Sequence, residues 1–299
     1  MPALRRWRWV AVFFSGLLLW VLSVVVTELT ANPNLIPTVV MVGSFLVPAT
    51  AVIYYLDHGH SPTLSAQRVF FAFVYGGVTG ILAAAILEAW LLQDGPLLYL
   101  GVGLIEEFAK LLALLLVCWG LRHFTIRDGI ILGAAVGFGF AAFESSGYAF
   151  SALFTPRGLS LFSLVYTEVL RGVLAPLGHG LWTAILGGVL FEGASLRGHL
   201  ALTGRLFLVY LAVSVLHGLW DSMRGIAIVL TLLTTNSPTL TVLLQQGLLP
   251  ASSAVATWIF VTFEFGGMGI VSIIGLWMLR SSWRRARLQP APASRLTTN

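Results

Sequence analysis

Long apolar segments separated by short polar turns recur along this chain. These segments restrict the folds that the chain can adopt. A helix that crosses a bilayer needs about 20 mainly apolar residues, and about eight segments of suitable length are present. They cover residues 10–26, 35–56, 69–92, 97–121, 129–154, about 173–190, 206–223 and 251–279. Hydrophobic residues make up 58% of the 299 residues, and charged residues only 10%. The sequence therefore predicts an all-α, polytopic membrane bundle that forms a single integral membrane domain over residues 1–299.

Two apolar regions are interrupted, and we expect neither to be a simple span. Glu168, Arg171 and Pro176 break the region before residue 173, which predicts a surface-lying or tilted lead-in to the sixth span. Residues 225–250 are rich in threonine and contain Asn236-Ser237-Pro238. That composition predicts an excursion outside the membrane, which could hold a short interfacial helix.

The arginines predict the orientation. With both termini inside, the inner segments hold Arg5, Arg6, Arg8, Arg68, Arg122, Arg127, Arg197, Arg205, Arg280, Arg284, Arg285, Arg287 and Arg295. The outer side then keeps Arg157, Arg224 and Arg171. Positive residues collect in cytoplasmic loops, so we expect cytoplasmic termini and a polar cytoplasmic tail over residues 281–299. The formal net charge of +5 has the same explanation, and we expect no nucleic-acid partner.

The fourth apolar segment contains three charged residues within five positions. Each ionised group near the bilayer centre costs about 2.5–3.5 kcal/mol, so such a cluster needs a reason. Glu106 and Lys110 are spaced i, i+4 and can pair along one helix face. Glu107 points about 100° away from Glu106 on a helix, which leaves it available to activate water. A buried ion pair that pins neighbouring helices is the competing explanation.

Histidines and a further glutamate occur at comparable depth in three later segments. Glu106, Glu107, Glu144, His179 and His217 all fall about 10–15 Å from the predicted outer face at about 1.5 Å per helical residue. Four helices thus place ionisable groups at one level. We expect these groups to converge on one water-accessible cavity.

The tetrapeptide His-Gly-Leu-Trp occurs twice, beginning at His179 and at His217. Trp182 and Trp220 each lie at i+3 from a histidine, where they could wall off a site. Asp221 lies at i+4 from His217 and is placed to accept its other ring proton. One intramembrane histidine is often a packing residue, whereas two in identical surroundings indicate a functional site.

Two imidazoles and a carboxylate match the ligand set of a catalytic zinc, here His179, His217 and Glu144. Another glutamate could then act as general base on the bound water. The same groups permit a metal-free mechanism, in which a glutamate deprotonates water and the histidines stabilise the oxyanion. Both mechanisms stay open on the sequence.

Four short motifs, in this order, resemble those of the PrsW family of intramembrane proteases: Glu106-Glu107-x-x-Lys110, Phe143-Glu144, His179-x-x-Trp182-Thr183 and His217-x-x-Trp220-Asp221. That family is similar to the group containing the CAAX prenyl endopeptidases and bacteriocin-processing proteins. The resemblance covers roughly residues 101–222. One departure is Ser145, where relatives often carry asparagine.

The resemblance implies a bacterial, multi-pass protease of the cytoplasmic membrane that cleaves membrane-anchored proteins, in the best-known member an anti-sigma factor. It implies a catalytic core over about residues 97–224. The implied active-site residues are Glu106, Glu107, Glu144, His179 and His217. The implied supporting residues are Lys110, Arg171, Trp182, Trp220 and Asp221. Arg171 is equally placed to pair with Glu168 at i+3.

The same residues are compatible with two other classes of function. Acidic residues and histidines at mid-membrane also form proton relays in ion-coupled transporters, and a non-catalytic scaffold is a third class. The single cysteine, Cys118, lies in an apolar run and is expected to be inert. Glu264 could line the same cavity or serve a structural role. The substrate, the cleaved bond and the oligomeric state leave no readable mark in the sequence.

Overall fold

The computed structural model describes residues 7–58, 63–235 and 253–289, and within them the chain is almost wholly helical. The helices are α1 (Arg8–Thr30), α2 (Ile36–His58), α3 (Ala66–Leu91), α4 (Leu98–Val117), α5 (Ile126–Ala152), α6 (Leu161–Leu174), α7 (His179–Arg197), α8 (Gly204–Thr235) and α9 (Ala254–Leu288). Short 3₁₀ turns, Pro33–Leu35 and Ala175–Leu177, precede α2 and α7. Strands β1 (Phe154–Thr155) and β2 (Gly158–Leu159) pair antiparallel in a small hairpin between α5 and α6.

The predicted fold class is confirmed. In the described part of the chain, seven helical segments are long and apolar enough to cross a membrane by length and composition. Helix α4 is 20 residues long and carries the three charged residues discussed above. With α4 included, the structure agrees with the expected helical bundle of about eight spans. The orientation with both termini inside stays a prediction.

Helix α8 is longer than predicted. The sequence predicted a span ending at Met223, but α8 continues without a break to Thr235, so the expected excursion is wrong for residues 225–235. The threonine hydroxyls that suggested irregular structure donate to carbonyl oxygens one turn back, as Thr231 does to Ala227 at 2.7 Å and Thr235 to Thr231 at 2.7 Å. These bonds satisfy the hydroxyls within the helix. The rest of the expected excursion lies outside the described residues.

Helix α9 also extends further than predicted, through Arg285 to Leu288 instead of ending at residue 279. Arg285 explains the extension, because its Nε atom lies 3.0 Å from Glu192 Oε1 on α7. Its Nη1 and Nη2 atoms donate to Ser281 and Ser282 at 2.7 and 2.9 Å. The first residues of the expected polar tail are therefore helical and attached to the bundle. Residues 290–299 of that tail lie outside the described residues.

The expected sixth span follows a separate lead-in helix and begins later than predicted. Helix α6 ends at Leu174, the 3₁₀ turn contains Pro176, and α7 begins at His179 instead of near residue 173. Proline lacks an amide N–H and cannot continue an α-helix without losing a hydrogen bond. The break places His179 at the first turn of α7, next to the lead-in helix.

Helices α5 and α7 pack closely together at the centre of the bundle. Gly129, Gly133 and Gly137 follow one another at four-residue spacing along α5 and face the backbone of α7. A side chain at Gly133 would meet the carbonyl of Thr183, and one at Gly137 would meet the carbonyl of His179. Small residues let helix backbones approach in this way. These glycines therefore set how closely the backbone of α7 at His179 approaches α5.

We expect Gly133→Ala to lower the free energy of unfolding by about 1–3 kcal/mol, because the added methyl group forces the two helices apart. The measurement is denaturation of the purified protein in detergent. Gly147→Ala is the matched control, since it lies on the same helix and a methyl group there would meet nothing within 4 Å. Equal stability of the two variants would contradict the close packing of α5 and α7.

Candidate active site

The three charged residues of α4 form one buried network around Lys110. The Lys110 ammonium donates to Glu106 Oε2 and to Glu107 Oε1, both at 2.9 Å, and contacts His179 Nδ1 at 2.8 Å. Lys110 and Glu107 are fully buried, and Glu106 is 6% exposed. The Lys110 ammonium also lies over the ring of Phe140 on α5, with Nζ 4.1 Å from the ring centroid. The structure contains the expected pair of Glu106 and Lys110, and the i+3 spacing also brings Glu107 within reach of Lys110.

His217 of α8 lies directly against this network. Its Nδ1 atom is 2.9 Å from Glu107 Oε1, and its Nε2 atom is 3.6 Å from Glu106 Oε2. Asp221 lies at 3.3 Å from Nε2 without hydrogen-bond geometry, and Nε2 makes no hydrogen bond with the described residues. Glu107 thus holds Nδ1, and the expected partner Asp221 faces the other ring nitrogen.

His179 joins the same cluster from the start of α7. Its ring centroid is 5.0 Å from that of His217, and the two ring planes are inclined by 77°. Nδ1 contacts Lys110, and Nε2 lies 2.9 Å from Glu144 Oε2 on α5. Because an ammonium group can only donate, Nδ1 accepts from Lys110 and Nε2 carries the proton toward Glu144. Four helices, α4, α5, α7 and α8, therefore meet at these side chains.

Arg171 on α6 holds Glu144 from the other side. It forms a short ion pair with Glu144 Oε2, and its Nε atom donates to Ser145 Oγ at 2.8 Å. Its expected alternative partner, Glu168, instead accepts from Trp20 Nε1 at 2.8 Å. Of the two interpretations of Arg171, the structure thus favours the one in which it serves the site. Ser145, the departure from the family pattern, supplies one of its hydrogen bonds.

A cavity of about 580 Å³ opens beside the cluster. The ionisable residues on its wall include Glu88, Glu106, Glu144, His179, Asp221 and Glu264. Glu107, Lys110 and His217 do not reach the wall and lie behind it. The carboxylates that line the cavity near the histidines are therefore Glu106, Glu144 and Asp221, whereas Glu107, the expected water-activating base, lies behind the wall.

The two tryptophans of the repeat have different positions. Trp220 lies on the cavity wall, as expected. Trp182 is fully buried in the apolar core, with its ring edge against Gly275 of α9. It does not line the cavity. Trp182 is buried because α7 packs against both α5 and α9. Trp220 is accessible because the face of α8 that carries it borders the cavity.

The residues of the cluster are suited to a divalent metal ion. Among the described residues, Glu106, His179 and His217 each place one ligand-type atom within 4.8 Å of the others. His217 fits well, because a carboxylate holds Nδ1 and leaves the buried Nε2 without a hydrogen bond, the arrangement usual for ligating histidines. Both nitrogens of His179 contact neighbouring side chains, so a metal ligated by His179 requires one of these contacts to open. Glu144, expected as the third ligand, is not in this group.

Some residues of the site were not identified from the sequence. Glu88 lies on the cavity wall with Oε1 buried and without a hydrogen bond in the described part of the chain. A carboxylate inside the third apolar segment was the available signal. Tyr148, one turn beyond Glu144, stacks beneath Arg171 at 4.2 Å from the ring centroid to Cζ. Its i+4 spacing from Glu144 is visible in the sequence. Its contact with Arg171 is not, because Arg171 lies on another helix.

Comparison with known proteins identifies one family. The family model described as PrsW family intramembrane metalloprotease matches residues 65–248. Neither the curated proteins nor the solved structures include a match to the chain. The matched region runs from α3 through α8 and includes the whole cluster around Lys110.

Proposed function

The chain belongs to the PrsW family of intramembrane metalloproteases, and on that premise we propose that it hydrolyses a peptide bond of a membrane-anchored protein at the cavity wall formed by Glu106, Glu144 and His179. Family membership confirms the predicted enzyme class, an intramembrane protease, over a transporter or a scaffold. The bilayer and a membrane-protein substrate follow from that class.

One observation carries the proposal: ligand-type atoms of Glu106, His179 and His217 lie within 4.8 Å of one another beside a cavity of about 580 Å³. Two imidazoles and a carboxylate are the protein ligands of catalytic zinc sites in proteases. The cavity supplies room for water and for an extended segment of substrate, neither of which the surrounding apolar helices could admit.

We assign the metal to Glu106, His179 and His217, and take it to be zinc. Glu106 replaces the expected Glu144 in this set because Glu144 is held by Arg171 and lies outside the group of mutually close ligand atoms. When bound, zinc acidifies a coordinated water and polarises a carbonyl oxygen. The donor set supports this assignment, and so does the Nε2 atom of His217, which makes no hydrogen bond with the described residues.

The remaining residues then have separate roles. Glu144 is the proton acceptor, since it lines the cavity and both of its close contacts fall on Oε2, which leaves Oε1 for a water molecule. Arg171 pairs with Glu144 Oε2 and orients the carboxyl group. Glu107 holds the His217 ring through Nδ1, and Lys110 offsets the charge of Glu106 and Glu107.

We further propose that the substrate is a membrane-anchored regulator such as an anti-sigma factor, and that the protein resides in the bacterial cytoplasmic membrane with the cavity open toward the outer face. The resemblance of the four motifs and the arginine distribution support these two assignments. The catalytic core would then comprise residues 97–224.

The function is tested by comparing membrane proteins in cells that carry the wild type with those in cells that carry His217→Ala. We expect at least one membrane-anchored protein to be shortened only with the wild type. Glu264→Gln is the matched control, since it replaces a carboxyl group on the same cavity wall that is not one of the proposed ligands. Identical membrane proteomes, with the wild type expressed, would contradict the proposed proteolysis under those conditions.

Metal binding is expected at about one zinc ion per purified chain, and at much less in His217→Ala, because a catalytic site needs its three protein ligands. Elemental analysis of the detergent-solubilised protein measures it. Glu264→Gln should retain the metal. Full metal content in His217→Ala would show that the ion binds elsewhere.

A further inference from the structure

A second concavity lies between α3 and α4, near the C-terminal end of α4, whereas the active-site cavity borders the N-terminal half of that helix. This second concavity encloses about 470 Å³, and we call it the α3–α4 groove. One end carries the polar residues Ser65, Gln67 and Arg68, and the other wall residues include Phe71, Tyr75 and Leu116. None of the proposed catalytic residues lines it.

The polar end presents the guanidinium of Arg68, which has one buried donor without a hydrogen bond to the described residues. Nη1 of Arg68 is buried and makes no hydrogen bond with the described residues. A buried donor on a charged group costs free energy unless something accepts its proton. The Ser65 hydroxyl, which caps α3, already accepts from the Arg68 amide at 3.2 Å. An anionic oxygen from outside the chain would satisfy the guanidinium, and phosphate matches its forked geometry.

The apolar part continues along the direction of the helices. Phe71, Tyr75 and Leu116 are 40%, 58% and 55% exposed, and the rings of Phe71 and Tyr75 lie 5.2 Å apart. From Ser65 to Thr79 the groove follows α3 over about 21 Å at 1.5 Å per residue. That distance exceeds the half-thickness of a bilayer core, about 15 Å. A π-helical segment, Ala72–Gly76, lies along this stretch, and such segments are often found at functional sites.

We propose that the α3–α4 groove binds an anionic phospholipid, with its phosphate on Arg68 and an acyl chain along Phe71, Tyr75 and Leu116. The charge pattern selects this class, because the residues that line the groove include Arg68 and no carboxylate that could bind the ammonium of a zwitterionic headgroup. The predicted orientation places Arg68 at the cytoplasmic surface, where anionic lipids are concentrated. The occupant is a lipid and not a free anion, since most of the groove is apolar.

The first test uses native mass spectrometry of the full chain in detergent with phosphatidylglycerol or phosphatidylcholine of identical acyl chains. We expect the wild type to retain phosphatidylglycerol about tenfold more strongly, the effect of one charge-assisted contact. Arg68→Gln should lose this preference. Arg122→Gln, which removes the same charge from an exposed loop position, should keep it. Equal retention of both lipids by the wild type, or an unchanged preference in Arg68→Gln, would overturn the proposal.

A thermal-unfolding arm distinguishes the lipid from a free anion. Phosphatidylglycerol should raise the unfolding temperature of the wild type, and inorganic phosphate should leave it unchanged. An equal increase with inorganic phosphate would overturn the lipid as occupant.

A third arm does not depend on the folding of an Arg68 variant. Tyr75→p-benzoylphenylalanine should photo-crosslink phosphatidylglycerol retained by the purified chain. The control is Leu82→p-benzoylphenylalanine, on the same helix, equally exposed at 58% and outside the groove. Equal crosslinking at both positions would identify nonspecific lipid contact and contradict a defined site.

Discussion

Glu106→Gln is expected to abolish peptide-bond cleavage, with a loss of roughly 10²–10⁴-fold. Glu106 is the carboxylate that both lines the cavity and lies 3.6 Å from nitrogens of His179 and His217. An amide of the same shape keeps the packing but neither carries the negative charge nor accepts a proton. The loss is expected whether the group binds metal or activates water. Cleavage of a membrane substrate in detergent or in vesicles measures it.

Glu144→Gln separates the two roles. If Glu106 is a ligand and Glu144 the proton acceptor, Glu106→Gln loses both metal and cleavage, whereas Glu144→Gln loses cleavage and keeps the metal. Glu264→Gln serves as control and should retain both, because it lies on the same wall outside the ligand group. Wild-type cleavage by Glu106→Gln would refute the assigned site, and metal loss only in Glu144→Gln would exchange the two roles.

Lys110→Met is expected to be the most destabilising change in the site, lowering the free energy of unfolding by about 3–5 kcal/mol. The ammonium is fully buried and contacts Glu106, Glu107 and His179. The substitution takes away the ammonium group that Glu106 and Glu107 share. Denaturation of the purified variant, monitored by its intrinsic tryptophan fluorescence, measures the loss.

Two further variants test the physical reason for that loss. In Lys110→Met/Glu107→Gln one negative charge is removed as well, so part of the stability should return. Leu112→Met, a substitution of similar size at a position of α4 that is 41% exposed, should stay within about 0.5 kcal/mol of the wild type. Wild-type stability of Lys110→Met would show that the network contributes nothing to folding.

Local chemistry made several features predictable. The hydrophobic segments predicted the helical bundle because backbone polar groups in lipid must be satisfied within the segment. The charges of α4 and the two histidines stood out because an isolated ionisable group in a membrane is costly. The motif order led to the PrsW family, which the match over residues 65–248 confirms.

Element ends were harder to predict, because they depend on partners distant in sequence. Thr231 and Thr235 suggested irregular structure by composition, yet within α8 their hydroxyls bond back to the helix itself. Arg285 read as part of a polar tail until Glu192 of α7 provided its partner. Composition alone cannot distinguish such residues from true loop residues.

The sequence by itself determined which groups are available in the membrane: two histidines, a lysine and several glutamates at one depth on four helices. Only the tertiary structure decided which of these groups pair with one another and which of them line the cavity. Helical spacing pairs Glu106 with Lys110, but the position of α8 brings His217 to Glu107, and the position of α6 brings Arg171 to Glu144. A carboxylate faces the cavity or the core depending on which helix packs against it. That packing brings together residues as distant in sequence as Glu107 and His217, and no local pattern encodes such contacts.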